Sequence, residues 1–271
     1  MWRTRIPDGK VQSMKLAIAG KGGSGKTSIS GTMARLLARS GQRVLAIDGD
    51  SNPNLALTLG IAAERMGDMP TLPSNLLRRT SEGTELTQSL DEIKASHSMT
   101  GPDGVDLLVM AHPQHANTGC LCQMHATVRT IIDAVSNDGR DVCILDTEAS
   151  PEHLSRGTAI YADALLAVVE PYFKSLETGR RMAVLAQDLG LERVALVANK
   201  IRDEREEDAV RSFAAKHEIE IGGMVPFDEV FILAERASVA PLDHSPDAPA
   251  IHAINEIALQ WAGSGVAHGR A

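Results

Sequence analysis

The chain has 271 residues, of which 43% are hydrophobic and 23% are charged, and this composition excludes a chain that is disordered throughout. The net charge of −8 disfavours nucleic acid or an anionic membrane as a partner, and three cysteines are too few for a disulfide scaffold and indicate a reducing compartment. No apolar run approaches the roughly 20 residues of a membrane span, and residues 1–13 lack the apolar core of a signal peptide. We therefore expect a cytoplasmic protein that binds neither nucleic acid nor a membrane.

Short apolar runs alternate with longer amphipathic stretches along the chain. The predicted strands are residues 15–19, 43–47, 105–110, 141–145, 164–169 and 194–198, with a weaker strand near 219–225. The predicted helices are residues 27–40, 123–135, 176–189, 206–216 and 251–261. Unbroken apolar runs are typical of strands that are covered on both faces. The alternation predicts an α/β fold with a mostly parallel, doubly wound sheet of about seven or eight strands and helices on both faces.

The same alternation sets the predicted domain bounds. Residues 1–13 are expected to be an upstream extension, residues 14–263 a single domain, and residues 264–271 a flexible tail. Residues 65–104 are the least regular part of that domain, and their end, TGPDG, is a turn signal.

A glycine-rich segment stands between the first predicted strand and the first predicted helix. Residues 20–27, GKGGSGKT, fit the phosphate-loop pattern G-x-x-x-x-G-K-[ST]. Backbone N–H groups of such a loop surround phosphate oxygens, and the helix N-terminus adds a favourable dipole. We expect Lys26 to reach the β- and γ-phosphates and Thr27 to bind Mg²⁺. The residues predicted to bind the nucleotide are Gly22, Gly23, Ser24, Gly25, Lys26, Thr27 and Ser28.

Acidic residues follow two of the predicted strands. Asp48 and Asp50 follow the strand 43–47, and Asp146 follows the strand 141–145. The carboxyl ends of parallel strands meet at one edge of a sheet, so these side chains should lie beside the phosphate loop. A carboxylate there can hold Mg²⁺ or orient water. We assign Asp146, which has the Walker B pattern, and Asp48 to the Mg²⁺ site.

The segment after the strand 194–198 bears on the choice of nucleotide. GTPases read guanine with N-K-x-D, whereas this chain has Asn199, Lys200, Ile201 and Arg202. Replacement of the acid by Arg202 disfavours GTP, and Asn199 at a strand end suits the edge of adenine. We therefore expect ATP as the nucleotide.

Two cysteines, Cys120 and Cys122, stand at the start of a predicted helix, where a thiol has a lowered pKa and favours metal binding. Two thiolates cannot close a tetrahedral site, but a two-fold dimer would bring four together around Zn²⁺ or Ni²⁺. A single-chain site with nearby histidines, a redox pair, and no function at all remain alternatives. The histidines concerned are His112, His115 and His125. The third cysteine, Cys143, lies inside a strand and is predicted to be a core thiol.

The phosphate loop carries an additional lysine, Lys21. The form K-G-G-x-G-K-T resembles the deviant Walker A loop of the family of MinD, ParA and the nitrogenase iron protein. That resemblance implies a P-loop ATPase in which Lys21 crosses a homodimer interface to the partner's nucleotide and Asp50 polarises the attacking water. It also implies that Pro226 and Asp228 belong to a second loop on the base side.

Within that family the chain resembles the CooC-type ATPases, which are accessory proteins for nickel insertion into carbon monoxide dehydrogenase. The resemblance rests on GCLC at 119–122, on DTEASPEHLSRGTA at 146–159 and on EPYFKSLET at 170–178, and it covers roughly residues 14–263. It implies that Cys120 and Cys122 of two subunits bind one nickel or zinc ion, and that a metalloenzyme such as carbon monoxide dehydrogenase is the client. His153 has no such implied role. Ser150 stands where family members commonly have glycine.

Three alternatives remain for the function. A positioning ATPase of the ParA/MinD type would need a basic face or a membrane helix, neither of which is visible in the sequence. An iron–sulfur reductase resembling the nitrogenase iron protein would use cysteines that are far apart in sequence. A nucleotide sensor would bind ATP without turnover.

Overall fold

The computed structural model describes residues 14–50, 52–81, 83–110, 122–138, 142–148 and 159–262. Apolar runs form the strands, and most of the central strands are buried along their whole length. The strands are β1 Met14–Gly20, β2 Val44–Gly49, β3 Leu77–Thr80, β4 Gly83–Leu86, β5 Ser98–Thr100, β6 Asp106–Val109, β7 Val142–Thr147, β8 Ala164–Val169, β9 Arg193–Ile201 and β10 Glu220–Pro226.

One sheet contains eight of these strands, in the order β10-β9-β8-β1-β7-β2-β6-β5. All neighbouring pairs are parallel except β5 and β6. All seven predicted strands form, close to their predicted bounds. The predicted α/β class and the mostly parallel sheet of about eight strands are therefore confirmed.

Helices cover both faces of this sheet. They are α1 Lys26–Arg39, α2 Leu55–Thr58, α3 Leu90–His97, α4 Cys122–Asp138, α5 Phe173–Asp188, α6 Glu204–Lys216, α7 Val230–Arg236, α8 Pro241–His244 and α9 Pro249–Ala262. One buried cluster packs α4, α5 and α6 on one face, and another packs α1 and α9 on the opposite face. Within the described ranges, no helix combines the length and the apolar character needed to cross a bilayer.

The irregular segment, residues 65–104, contains elements that the sequence did not reveal. Strands β3 and β4 form a separate antiparallel hairpin, and β5 adds an antiparallel edge to the main sheet. The hairpin strands are mostly exposed and carry no apolar run, so periodicity could not detect them. Helix α3 does have a local signal, since Ser89 and Glu92 form a capping box at its start.

Candidate nucleotide site

The phosphate loop joins the carboxyl end of β1 to the first turn of α1, as the sequence predicts. Gly23 and Gly25 have φ angles of 82° and 94°, in the left-handed region that favours glycine. A Cβ atom at Gly25 would also collide with the side-chain amide of Asn199. A Cβ at Gly20 would lie 2.7 Å from the carbonyl oxygen of Val168. The glycines therefore let the loop approach its neighbouring strands closely.

Lys26 begins α1 and is nearly buried. Its Nζ lies 3.1 Å from Oδ2 of Asp50 and 3.9 Å from Oδ2 of Asp146. The structure thus brings together a lysine and two carboxylates that were predicted from separate motifs. Thr27 and Ser28 follow in the same first turn and are partly exposed.

Asp146 lies in β7, directly opposite Asp48 of β2 in the parallel register. Thr27 donates a hydrogen bond from Oγ1 to Oδ2 of Asp146 at 2.7 Å, and Ser30 donates to Oδ1 at 3.1 Å. The hydroxyl and the carboxylate predicted to share Mg²⁺ are therefore in direct contact. Ser30 was not predicted, although it lies one turn after Lys26 on the same helix.

Asp48 organises the backbone that follows β2. Its Oδ2 accepts N–H groups of Asn54 and Leu55 at 2.9 and 2.8 Å, and its Oδ1 accepts the N–H of Asp50 at 3.2 Å. These bonds fold the chain back so that Asp50 faces Lys26. Asp48 therefore positions Asp50, in addition to the magnesium role that the sequence predicts for it.

The site carries more negative charge than its own lysine balances. Burial raises the pKa of Asp146 to about 7, against the opposing attraction of Lys26. Burial also raises the pKa of Asp48. Three carboxylates facing one ammonium group give a formal charge of minus two when all are ionised, which a divalent cation would neutralise. Mg²⁺ prefers oxygen ligands and usually takes only one or two from carboxylates and the rest from phosphates and water, so Thr27 and Asp146 fit this ion together with a bound nucleotide.

A buried hydroxyl in the loop is also suited to a phosphate. Ser24 is fully buried, and its Oγ has no hydrogen-bond partner within the part of the chain that the structure describes. A buried hydroxyl without a partner is costly, so its presence indicates a ligand. The loop therefore fits a phosphate group as the sequence predicts.

Strand β9 ends against the phosphate loop. Asn199 donates from Nδ2 to the carbonyl oxygen of Ser24 at 2.8 Å, and its Oδ1 accepts the N–H of Lys200 at 2.9 Å. Lys200 donates from Nζ to the carbonyl oxygen of Gly23 at 2.6 Å. Asn199 therefore holds the loop, and its predicted contact with adenine stays a prediction. The sequence analysis missed Lys200, although the N-K pair at a strand end was visible.

The second predicted base-side segment lies at the end of β10. Pro226 pairs with Ile201 in the parallel register, so it stands beside the end of β9. Asp228 accepts N–H groups of Val230 and Ala250, at 3.0 and 3.4 Å, and so fastens the starts of α7 and α9. These contacts give Asp228 a helix-fastening role, and nucleotide contact by either residue stays a prediction.

Lys21 lies on the rim of the loop beside an exposed aromatic residue. Its Nζ is 5.7 Å from the ring centroid of Tyr172, within the range of a cation–π interaction. Tyr172 and Phe173 are 43% and 73% exposed. Lys21 thus lies beside two exposed aromatic residues, and its role across a dimer interface stays a prediction.

The cysteine pair lies mostly outside the described residues. Cys120 is outside them, as are His112, His115 and His153, and only the backbone of Cys122, at the start of α4, is described. Within the described ranges, no group of three or more His, Cys, Asp or Glu residues is placed to hold a metal. The shared nickel or zinc site therefore stays a prediction. Cys143 is buried in β7, which confirms it as a core thiol, and His125 is buried on α4.

A phosphate loop between a parallel strand and a helix, with a buried acid at the end of a neighbouring strand, defines a P-loop nucleotide-binding domain. The chain belongs to the CobQ/CobB/MinD/ParA nucleotide-binding domain family, whose model matches residues 15–242. It is 34% identical to the carbon monoxide dehydrogenase accessory protein CooC of Rhodospirillum rubrum, over 86% of this chain and 91% of that protein. The predicted resemblance to CooC-type ATPases is thereby confirmed.

One further protein and two solved structures are also similar to this chain. An uncharacterized ATP-binding protein of Methanocaldococcus jannaschii is 34% identical over 82% of this chain and 88% of its own length. A chain of the MinC:MinD cell division complex of Aquifex aeolicus superposes with a TM-score of 0.69 at 18% identity, covering 95% of this chain and 99% of that chain. The ATP complex of a point variant of Cyanothece McdA superposes with a TM-score of 0.68 at 18% identity, covering 93% of this chain and 97% of that chain. These solved structures support the fold.

Proposed function

We propose that this chain is an ATPase that dimerises with nucleotide and aids the insertion of nickel into a metalloenzyme such as carbon monoxide dehydrogenase. The observation that carries the ATPase half is the contact of Lys26 and Thr27 with the acids Asp50 and Asp146 beside a phosphate loop. The accessory role is supported by the similarity to CooC over most of both chains. The C-x-C pair supplies thiolates for the cargo metal.

Binding of ATP would redistribute the partners of Lys26. The triphosphate carries more negative charge than one carboxylate. The ammonium group of Lys26 would therefore leave Asp50 and contact the β- and γ-phosphate oxygens instead. Asp50 is then free to accept a hydrogen bond from the attacking water and to orient it. As the water oxygen bonds to the γ-phosphorus, the bond from that phosphorus to the β–γ bridging oxygen breaks. One water proton stays on the inorganic phosphate or passes to solvent, and ADP and phosphate are released.

Thr27, Asp146 and Asp48 are the groups that would hold Mg²⁺ with the nucleotide. The bound ion supplies positive charge against the phosphate oxygens. Ser30 holds the second oxygen of Asp146, so the carboxylate keeps a fixed orientation. Arg202 occupies the sequence position of the acid with which GTPases read guanine, and this supports ATP as the substrate. Its guanidinium lies 4.6 Å from the ring centroid of Phe227.

A second copy of the chain would complete the site. Lys21 is partly exposed beside Tyr172 and Phe173, and a lysine delivered from a partner stabilises phosphate charge in the manner of an arginine finger. Closure of the two subunits would also bring the two cysteine pairs together. Hydrolysis is then coupled to the geometry of the metal cargo.

The metal content of the dimer tests the accessory role. Nickel and zinc per dimer would be measured in the wild type and in the Cys120→Ala/Cys122→Ala variant, with and without ATP. We expect one ion per wild-type dimer and none in the variant. Cys143→Ala is the matched control, because it removes a buried thiol outside the pair. Equal metal content in the wild type and the double variant would remove the assignment.

The same preparation distinguishes the alternative functions. Salt-sensitive pelleting with DNA, or pelleting with liposomes, would favour a positioning ATPase. A visible absorbance band after anaerobic purification would favour an iron–sulfur protein. ATP binding without phosphate release would favour a sensor.

A further inference from the structure

A lysine and a glutamate at the ends of neighbouring strands form a brace against the phosphate loop. Lys200 of β9 donates from Nζ to the carbonyl oxygen of Gly23 at 2.6 Å and to Oε1 of Glu170 at 2.9 Å. Glu170 directly follows β8, which pairs with β9 in parallel. We propose that Lys200 and Glu170 are positioning residues, which hold the phosphate loop in its nucleotide-binding conformation.

The backbone geometry indicates what the brace achieves. Asn199 and Lys200, two successive residues, hold the carbonyl oxygens of two successive loop residues, Ser24 and Gly23. In a trans peptide the C=O and the following N–H point in opposite directions. Holding the oxygen of Ser24 toward β9 therefore turns the N–H of Gly25 away from β9, which leaves it for a phosphate oxygen. Holding Gly23 likewise sets the N–H of Ser24, which donates to the carbonyl oxygen of Lys21 at 3.0 Å.

The conformation of Lys200 supports a specific role. Its φ of 63° lies in the left-handed region, which costs free energy for a residue with a side chain. Such a conformation persists only where surrounding contacts hold it. Here the N–H of Lys200 donates to Asn199, and its Nζ has two oxygen acceptors. The unusual backbone directs the ammonium group back onto the loop.

Glu170 extends the brace to the surface that carries Lys21. Its Oε2 accepts the hydroxyl of Tyr172 at 2.9 Å, while its Oε1 accepts Lys200. Because the ring of Tyr172 faces the ammonium group of Lys21, one carboxylate sets the positions of both the loop and the exposed lysine beside it. The brace thus connects phosphate binding with the surface proposed for dimerisation.

This inference rests on the proposed nucleotide site and predicts an effect on binding rather than on chemistry. The contacts of Lys26 and Asp146 with Asp50, Thr27 and Ser30 do not involve Lys200. Loss of the brace should therefore raise the Kd and the KM for ATP, while kcat changes by less than about threefold. A residue that only supports the fold would instead lower the melting temperature.

The test is calorimetric binding of Mg–ADP and Mg–ATP to the full chain. Lys200→Met should weaken binding about fivefold to tenfold, as expected for loss of a hydrogen bond from a charged, partly exposed donor. Lys200→Arg, which keeps the charge and the donors, should recover most of that loss. Glu170→Gln should weaken binding to a smaller extent, and the double variant Lys200→Met/Glu170→Gln should bind no worse than Lys200→Met alone.

Arg211→Met is the matched control, because it breaks an exposed pair with Glu207 on α6, and its affinity should equal that of the wild type. Wild-type affinity in Lys200→Met, or strictly additive losses in the double variant, would overturn the brace. If Lys200→Met does not fold, unchanged binding by Glu170→Gln decides against it. A wild type that binds neither nucleotide would contradict the proposed function instead.

Discussion

Helix α1 carries two clusters of charged side chains, each built around one buried cation, Lys26 or Arg35. At its N-terminus, Lys26 faces the acids Asp50 and Asp146, with Asp48 beside them. Nine residues later on the same helix, Arg35 is buried and makes a bidentate contact with Asp243, at 2.6 and 2.8 Å, and a 2.7 Å contact with Asp103.

The two clusters differ in their charge balance. Arg39 also reaches Asp103 and Asp243, so two arginines face two aspartates in the second cluster. In the first cluster, three carboxylates face one lysine. A cluster with equal numbers of positive and negative groups leaves no net charge for a ligand to neutralise, whereas a cluster with excess carboxylates favours a cationic ligand. The comparison supports a ligand-binding role for the cluster around Lys26. The cluster around Arg35 instead links α1 to α8.

The largest expected effect is the loss of turnover in Lys26→Met. Removing the ammonium group that would meet the phosphates should lower the rate of phosphate release about 10³-fold. Phosphate release from ATP would be followed at saturating nucleotide. Lys216→Met, at the exposed end of α6, is the control and should keep wild-type turnover. Turnover within tenfold of the wild type in Lys26→Met would argue against a phosphate role.

In the nucleotide-free protein, the carboxylates around Lys26 should make the free energy of unfolding depend on pH. Asp146 has a folded-state pKa of about 7, above its unfolded value, so the folded state binds more protons between these values. The free energy of unfolding should therefore fall as the pH rises from 4 to 7, by on the order of 4 kcal/mol. In Asp146→Asn this contribution to the pH dependence should be absent. Asp48, whose pKa is also raised, is present in both proteins, so its contribution does not account for the difference between them.

Urea unfolding at pH 4 and pH 8 measures this difference. The exposed Asp188→Asn variant is the control and should keep the wild-type pH dependence. Mg–ATP should reduce the dependence in the wild type, because the bound cation favours the ionised carboxylate. Identical pH profiles for the wild type and Asp146→Asn would contradict the assignment.

The balanced cluster should affect stability and leave the chemistry intact. Arg35→Met removes a buried guanidinium, but Asp103 and Asp243 are partly exposed and keep Arg39 as a partner, so the free energy of unfolding should fall by about 2 kcal/mol. Arg39→Met, in the same cluster but far more exposed, should cost less than about 1 kcal/mol. Urea unfolding checks both values. At a temperature where Arg35→Met is folded, its ATP turnover should match the wild type, and a large loss would show that the two clusters are coupled.

Local patterns predicted most of the sheet and the core of the site. The seven apolar runs became strands because an unbroken apolar run is stable only when both of its faces are covered. The short, exposed strands β3 and β4 lack that signal, and β5 forms only because β6 offers an open edge. Ser89 and Glu92 show that a capping signal could have revealed α3.

The sequence by itself determined the phosphate loop, its glycines and the acids at the strand ends, since each depends on a short pattern and on the common edge of parallel strands. Only the tertiary structure decided which distant groups meet there. Lys200 reaches Gly23 across 177 positions and Arg35 reaches Asp243 across 208. No local propensity encodes such contacts, because they exist only after the sheet and its helices have packed.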